Sequence, residues 1–243
     1  MNRQRILQNG ALSFLAAGAL LAAAVPLFGA NGATGSIEGT VSIKAAVPRD
    51  EMKPASATSP DAYGDGAGGS SGREEGPAMN ESEPENVVVY VSGTVQGGPF
   101  KPPAVHPQLV QFKKRLSPHV LPILVGTIVD FPNKDDFNHN IFSLSSVKKF
   151  DLGLYKSGQS KSETFDKPGQ VKVYCNIHSQ MRAIVQVLEN PFFTKPAASG
   201  KFKIDAVPAG DYELVAWHEK FPAVIKKVTV KAGDSLKVDF SFE

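Results

Sequence analysis

V-K-V-Y-C-N-I-H-S-Q-M-R-A-I-V, residues Val171 to Val185, contains the only cysteine of the chain, with a histidine three positions after it and a methionine three after that. The flanks V-K-V-Y and A-I-V-Q-V alternate apolar and polar residues with the period of half-buried strands, which predicts two β-strands joined by a turn. On such a turn Cys175, His178 and Met181 can converge on one point. A thiolate, an imidazole and a thioether are soft and borderline donors that suit copper. A site of two histidines and one cysteine with a long axial methionine is an electron-transfer geometry.

A second imidazole is supplied by F-P-N-K-D-D-F-N-H-N-I-F-S-L-S, residues Phe131 to Ser145, in which His139 falls in a loop after the hydrophobic strand Leu121 to Phe131. A loop histidine followed by asparagine, then Cys-x-x-His-x-x-Met between two strands, resembles the small blue-copper proteins, the cupredoxins, with spacing closest to the amicyanin type. The resemblance spans about residues 105 to 190. It implies a Greek-key sandwich binding one mononuclear copper ion through His139, Cys175, His178 and Met181. It also implies that the backbone N–H of Asn140 meets the cysteine sulfur. With P-H-V-L-P-I-L-V-G-T upstream and F-D-K-P-G-Q-V-K-V-Y-C-N-I-H around the cysteine, the chain is similar to plastocyanin-like bacterial proteins labelled methylamine utilisation proteins.

Other metal chemistry fails on counts. A dinuclear copper centre needs two cysteines, multicopper oxidases use His-x-His pairs, and structural zinc prefers four Cys or His ligands over a thioether. His106, His119 and His218 stand outside the motif and read as solvated or strand-packed histidines. Trp217-His218 is the one pair that could approach the site from elsewhere in the chain.

At 243 residues, with 42% hydrophobic and 9% aromatic side chains, the chain is long enough for two cores. No long amphipathic helical pattern follows residue 34, so the expected class is all-β. Residues 1–33, with Arg3 and Arg5 before the apolar run Ala11 to Ala24, read as a signal peptide that exports the protein, to the periplasm or beyond. The competing reading is an uncleaved membrane anchor. A lipoprotein is excluded because the only cysteine is Cys175. Removal of residues 1–33 takes two basic residues from 26, leaving 24 against 24 acidic ones, and a neutral chain points to no nucleic-acid partner. A lone cysteine in an exported chain needs a reason other than a disulfide, and metal ligation supplies one.

Residues 35–47 alternate as a strand. Residues 52–85 hold seven acidic residues against two basic ones, Lys53 and Arg73, and almost no bulky apolar side chain, so they read as a disordered loop. Residues 86–96 open with the apolar run V-V-V-Y-V. Residues 104–190 are the cupredoxin-like region, and residues 195–243 carry four alternating strands. This last stretch resembles the carboxypeptidase regulatory-like, or transthyretin-like, β-sandwich. Four strands make half a sandwich, so residues 35–47, 86–96 and 195–243 are expected to form one domain, with the cupredoxin inserted in its loop. The reading as a whole is an exported one-electron carrier between redox proteins, not an enzyme. The alternative is a copper carrier, or a surface- or carbohydrate-binding module with copper as cargo.

Overall fold

The computed structural model describes residues 33–44 and 83–243. The expected signal segment up to residue 32 and the expected disordered loop from 52 to 82 lie outside the described residues. Within them there are seventeen strands, one 3-10 turn and no α-helix, so the chain is all-β. The turn, Pro84–Asn86, gives regular structure to positions 84 and 85, which composition had assigned to the loop; the Val87 N–H closes it onto the Pro84 carbonyl at 2.9 Å.

Strands β1 (Thr34–Ile43) and β2 (Val88–Val91) precede the cysteine motif in sequence but pair with strands that follow it. β1 runs antiparallel to β13 (Lys201–Pro208) on one side. On its other side it runs parallel to β16 (Ser235–Lys237) and then β17 (Phe240–Phe242). β2 lies between β12 (Phe193–Thr194) and β14 (Gly210–His218), and β14 pairs onward with β15 (Phe221–Val230). The core of these two sheets includes Ile37, Val41, Val89, Val91, Phe202, Ile204, Leu214 and Phe240. Gly39 is required here: a Cβ at that position would stand 1.8 Å from the Val238 carbonyl oxygen, in the gap between β16 and β17. In the same gap Asp239 accepts the Thr40 N–H and hydroxyl at 2.8 and 2.7 Å.

The second sandwich is built from β3 (Val110–Gln111), β4 (Leu116–Ser117), β5 (Val120–Leu124), β6 (Thr127–Pro132), β7 (His139–Leu144), β8 (Lys149–Tyr155), β9 (Ser160–Phe165), β10 (Gly169–Tyr174) and β11 (Arg182–Leu188). One sheet has the order β5-β11-β10-β7-β8. Facing it, β6 pairs with β9, and single bridges from Gln108 and Gln111 bring the β3–β4 hairpin alongside β6. The chain changes sheet from β5 to β6, from β6 to β7, from β8 to β9 and from β9 to β10, giving the Greek-key arrangement. Leu109, Val129, Phe131, Ile141, Phe165, Val171, Val173 and Val185 fill its core. Gly126 turns β5 into β6 with φ of 85°, a conformation that favours glycine.

Two sequence expectations are corrected. His139 is the first residue of β7, not a loop residue, and its backbone is held by pairing with β8 opposite Tyr155. β10 keeps the period-2 pattern, but β11 is buried from Ala183 through Leu188. The reason is tertiary. Ala183, Val185 and Val187 belong to the Greek-key core, whereas Ile184 and Leu188 join Val88, Val120, Val215 and Trp217 in an apolar layer between the sandwiches. Polar ties cross the same junction. Asn190 donates to the Val91 and Gly93 carbonyls at 2.9 and 2.8 Å, and Lys195 Nζ donates to the Val120 carbonyl at 2.8 Å.

Candidate metal centre

Cys175 follows the last residue of β10, and Met181 precedes the first of β11. Because Tyr174 pairs with Arg182, the residues between them must form a closed loop. Its base is sealed by the Cys175 N–H donating to the Met181 carbonyl at 3.1 Å, and the Met181 N–H returns to the His178 carbonyl at 3.0 Å. Cys175 continues the inward set Val171 and Val173, which places it in the core. β7 lies beside β10 through the pairing of Phe142 with Tyr174, bringing His139 to the mouth of the loop.

The Cys175 sulfur is 3.7 Å from His139 Nδ1. That sulfur and one ring nitrogen each from His139 and His178 all lie within 4.8 Å of one another. The two imidazoles meet edge to face with centroids 5.0 Å apart. Met181 is fully buried in the same core as Cys175. The structure therefore gathers three of the four expected residues by their donor atoms, with the fourth at the base of the same loop.

A residue that sequence reasoning passed over organises the centre. His139 Nε2 lies 2.8 Å from Asp135 Oδ2. Burial favours the neutral form of the Asp135 carboxyl, but the N–H groups of Lys114 and Lys113 and the His139 ring outweigh it and hold its pKa below the ordinary value. An ionised carboxylate only accepts hydrogen bonds, so Nε2 of neutral His139 carries the hydrogen. Nδ1 keeps its lone pair, facing the sulfur. Asn133 steadies this loop by accepting the Asp135 N–H at 3.0 Å and donating to the Phe137 carbonyl at 2.8 Å. The one available sequence signal was the cluster N-K-D-D-F-N-H, whose Asx residues favour local backbone hydrogen bonds.

His178 differs from His139 in having no such anchor. Its Nδ1 is buried without a hydrogen-bond partner among the described residues. Burial is the main cause lowering its pKa, and the positive charge of Lys114 adds to the shift against the opposing Asp135. A neutral imidazole with a buried, unpartnered nitrogen costs about 1–3 kcal/mol unless something accepts its lone pair. A metal ion does so, and the donor set fits one. Phe137 packs its ring against both imidazoles, at 5.0 and 5.5 Å, and covers them from solvent.

Asn140 acts through its side chain. Nδ2 donates to Asp151 at 2.6 Å, and Oδ1 accepts the Asn176 N–H at 3.4 Å, tying the start of the cysteine loop to β7 and β8. The remaining histidines lie away from the centre. His106 pairs with Asp130 at 3.1 Å, and His218 is buried against Phe221 and Phe242. His119 is neither solvated nor simply packed, because it pairs with Glu219 at the junction of the sandwiches. Trp217 belongs to that junction too.

Residues 186–238 match the family described as polysaccharide lyase family 4, domain II. No curated protein matches the chain. Among solved structures, a copper-containing nitrite reductase from Thermus scotoductus is similar at 28% identity and TM-score 0.34, over 37% of this chain and 26% of that one. The chain thus spans about a quarter of that reductase. A purple cupredoxin from Nitrosopumilus maritimus is similar at 27% identity and TM-score 0.31, over 33% of this chain and 98% of that one. A reduced amicyanin mutant is similar at 26% identity and TM-score 0.32, over 34% and 81%.

Proposed function

We propose that this chain binds one copper ion through His139, Cys175, His178 and Met181 and carries single electrons between redox proteins outside the cytoplasm. The observation that carries the reading is the convergence of a buried sulfur with two imidazole nitrogens, one oriented by Asp135 and the other buried without a partner. Bound copper supplies reversible one-electron exchange between its two oxidation states. Cys175 would serve as thiolate, His139 through Nδ1, His178 through its ring nitrogen, and Met181 as a weak thioether donor. The chain's part is to hold these donors still: His139 comes from a paired strand of a packed core, and Cys175, His178 and Met181 come from a loop sealed by backbone hydrogen bonds. Ile177, 50% exposed, and Phe137, 36% exposed, flank His178 and give a protein partner an apolar approach. Residues 1–33 supply export, and contact with a membrane arises only if they stay attached. The neutral charge balance of the remainder offers nothing to nucleic acid.

Visible and EPR spectra of the copper-loaded protein test this. Intense thiolate-to-Cu(II) absorption is expected, lost in Cys175→Ser; Met181→Gln should keep the colour and lower the reduction potential, since a harder donor favours Cu(II). Bound Cu(II) without colour would sink the reading.

A second reading is favoured by the match of residues 186–238 to a polysaccharide lyase domain. In it the split sandwich is a carbohydrate- or surface-binding module and copper is cargo. Such a carrier would hold Cu(I) selectively and fail to cycle reversibly at an electrode, whereas the electron carrier cycles.

A further inference from the structure

The loop that gathers Cys175, His178 and Met181 is braced from outside its own two strands. Arg182, the residue after Met181, stands opposite Tyr174, the residue before Cys175, and this is the last pair of β10 and β11 before the loop opens. β5, the other neighbour of β11, comes into register with it only from Val120 and Ile184 onward. At its loop end, β11 therefore depends on what precedes β5.

His119 fills that place. Its carbonyl accepts the Ile184 N–H at 2.8 Å, and its ring Nδ1 lies 3.3 Å from the Arg182 carbonyl. That carbonyl can only accept, so Nδ1 is the donor, and the ring carries the ladder on toward the loop. Nε2 of the same buried ring meets the Glu219 carboxylate, which the split sandwich supplies from the connection of β14 to β15. The other oxygen of that carboxylate lies 3.4 Å from Arg182 Nη1. One carboxylate of the split sandwich thus reaches Arg182 twice, directly at its side chain and through His119 at its main chain. Met181 is the adjacent residue, and its carbonyl accepts the Cys175 N–H that closes the loop. With only two soft dihedrals per residue, a position held at two points leaves its neighbour little freedom.

We propose that His119 and Glu219 are positioning residues for the metal centre: acting through Arg182, the split sandwich holds the Met181 arm of the loop in place. The consequence for copper rests on the reading of this loop as a copper site, whereas the brace is a property of the chain without metal.

Amide hydrogen exchange of the metal-free, full-length protein and EPR of its copper-loaded form test the two parts. In His119→Ala the Cys175 and Met181 N–H groups should exchange about tenfold faster than in wild type, while that of Val185, in the middle of β11, keeps its rate. His119→Asn, which puts an amide donor near the place of Nδ1, should recover most of the protection. Glu219→Ala changes a residue on a connection and should speed the same two N–H groups, so the comparison stands even if His119→Ala fails to fold. Loaded with copper, His119→Ala and Glu219→Ala should show an altered Cu(II) hyperfine pattern and an affinity lower by about 10-fold, the low end for losing a contact that orients a ligand. Asn190→Ala cuts two ties at the opposite end of β11 and serves as the control: it weakens the same junction but should leave loop exchange, EPR and affinity as in wild type. Loop N–H groups as protected in Glu219→Ala as in wild type, or exposed equally by Asn190→Ala, overturn the brace. Faster loop exchange with unchanged EPR and affinity overturns its role at the metal centre. A wild-type chain that binds Cu(II) without colour removes the copper reading instead, and the exchange rates still decide the brace.

Discussion

At Asp135 a single carboxylate serves three groups: the His139 ring and the N–H groups of Lys113 and Lys114. It orients the His139 ring, a proposed metal donor, and holds the turn of the β3–β4 hairpin. Asp135→Ala removes the acceptor from all three. The expected result is a loss of copper affinity of about 10- to 100-fold, the usual effect of removing the partner that orients a histidine ligand. Stability should fall by about 2 kcal/mol, the range for hydrogen bonds to a charged group. Asp135→Asn, which keeps an oxygen for the turn, should recover most of the stability but less of the affinity. Chelator competition and thermal unfolding read the two effects separately. Equal copper affinity in wild type and Asp135→Ala would show that His139 needs no anchor.

The β3–β4 hairpin shows how an element can work against its own sequence. Phe112 and Arg115 exchange both backbone hydrogen bonds, at 3.0 and 3.1 Å, leaving Lys113 and Lys114 as a two-residue turn with φ of 52° and 54°. Two left-handed residues are what such a hairpin requires, and Asn-Gly is the usual choice because other side chains resist that conformation by about 1–2 kcal/mol each. Here the resistance is offset by Asp135, which accepts both N–H groups. Lys114→Gly should therefore stabilise the protein, by about 1 kcal/mol, while leaving the copper spectrum unchanged. Denaturant unfolding measures it, and a destabilised variant would mean that the Lys114 side chain, 5.6 Å over the Phe137 ring, contributes more than the strain it brings.

Among the described residues, three apolar layers lie between the sheets, and the layer between the sandwiches is joined by ionic contacts. Glu219 reports on that junction. Burial alone would raise its carboxyl pKa, but the hydrogen bond from His119 and the charges of His119, Arg182 and Lys220 outweigh it, so the folded value lies below the ordinary one. A depressed carboxylate contributes stability that is present above its unfolded pKa, about 4.3, and is lost as the pH falls through the lower folded value. Glu219→Gln should be less stable by about 2 kcal/mol at neutral pH, and the difference from wild type should shrink on acidification below about pH 4. Thermal midpoints measured down the acid range check this. A difference independent of pH would assign the loss to packing instead.

Much of this was legible in one dimension. The all-β class followed from alternation at β1, β10 and β13, because a strand with one face in water must repeat every two residues. Cys175, His178 and Met181 were legible as a set because a short loop holds neighbours in sequence close in space whatever the rest of the chain does. Tertiary structure decided what depends on contacts between distant segments. A-I-V-Q-V looked half-buried because its own pattern cannot show that a second sheet covers its outer face. Asp135 looked like loop polarity, since its value lies in the three groups that converge on it from β7 and a hairpin more than twenty residues upstream. The same holds for His119 and Glu219, one hundred residues apart, whose pairing exists only once two sandwiches meet. Local periodicity is written in the chain because the backbone imposes it, whereas which faces meet is settled by where whole sheets pack.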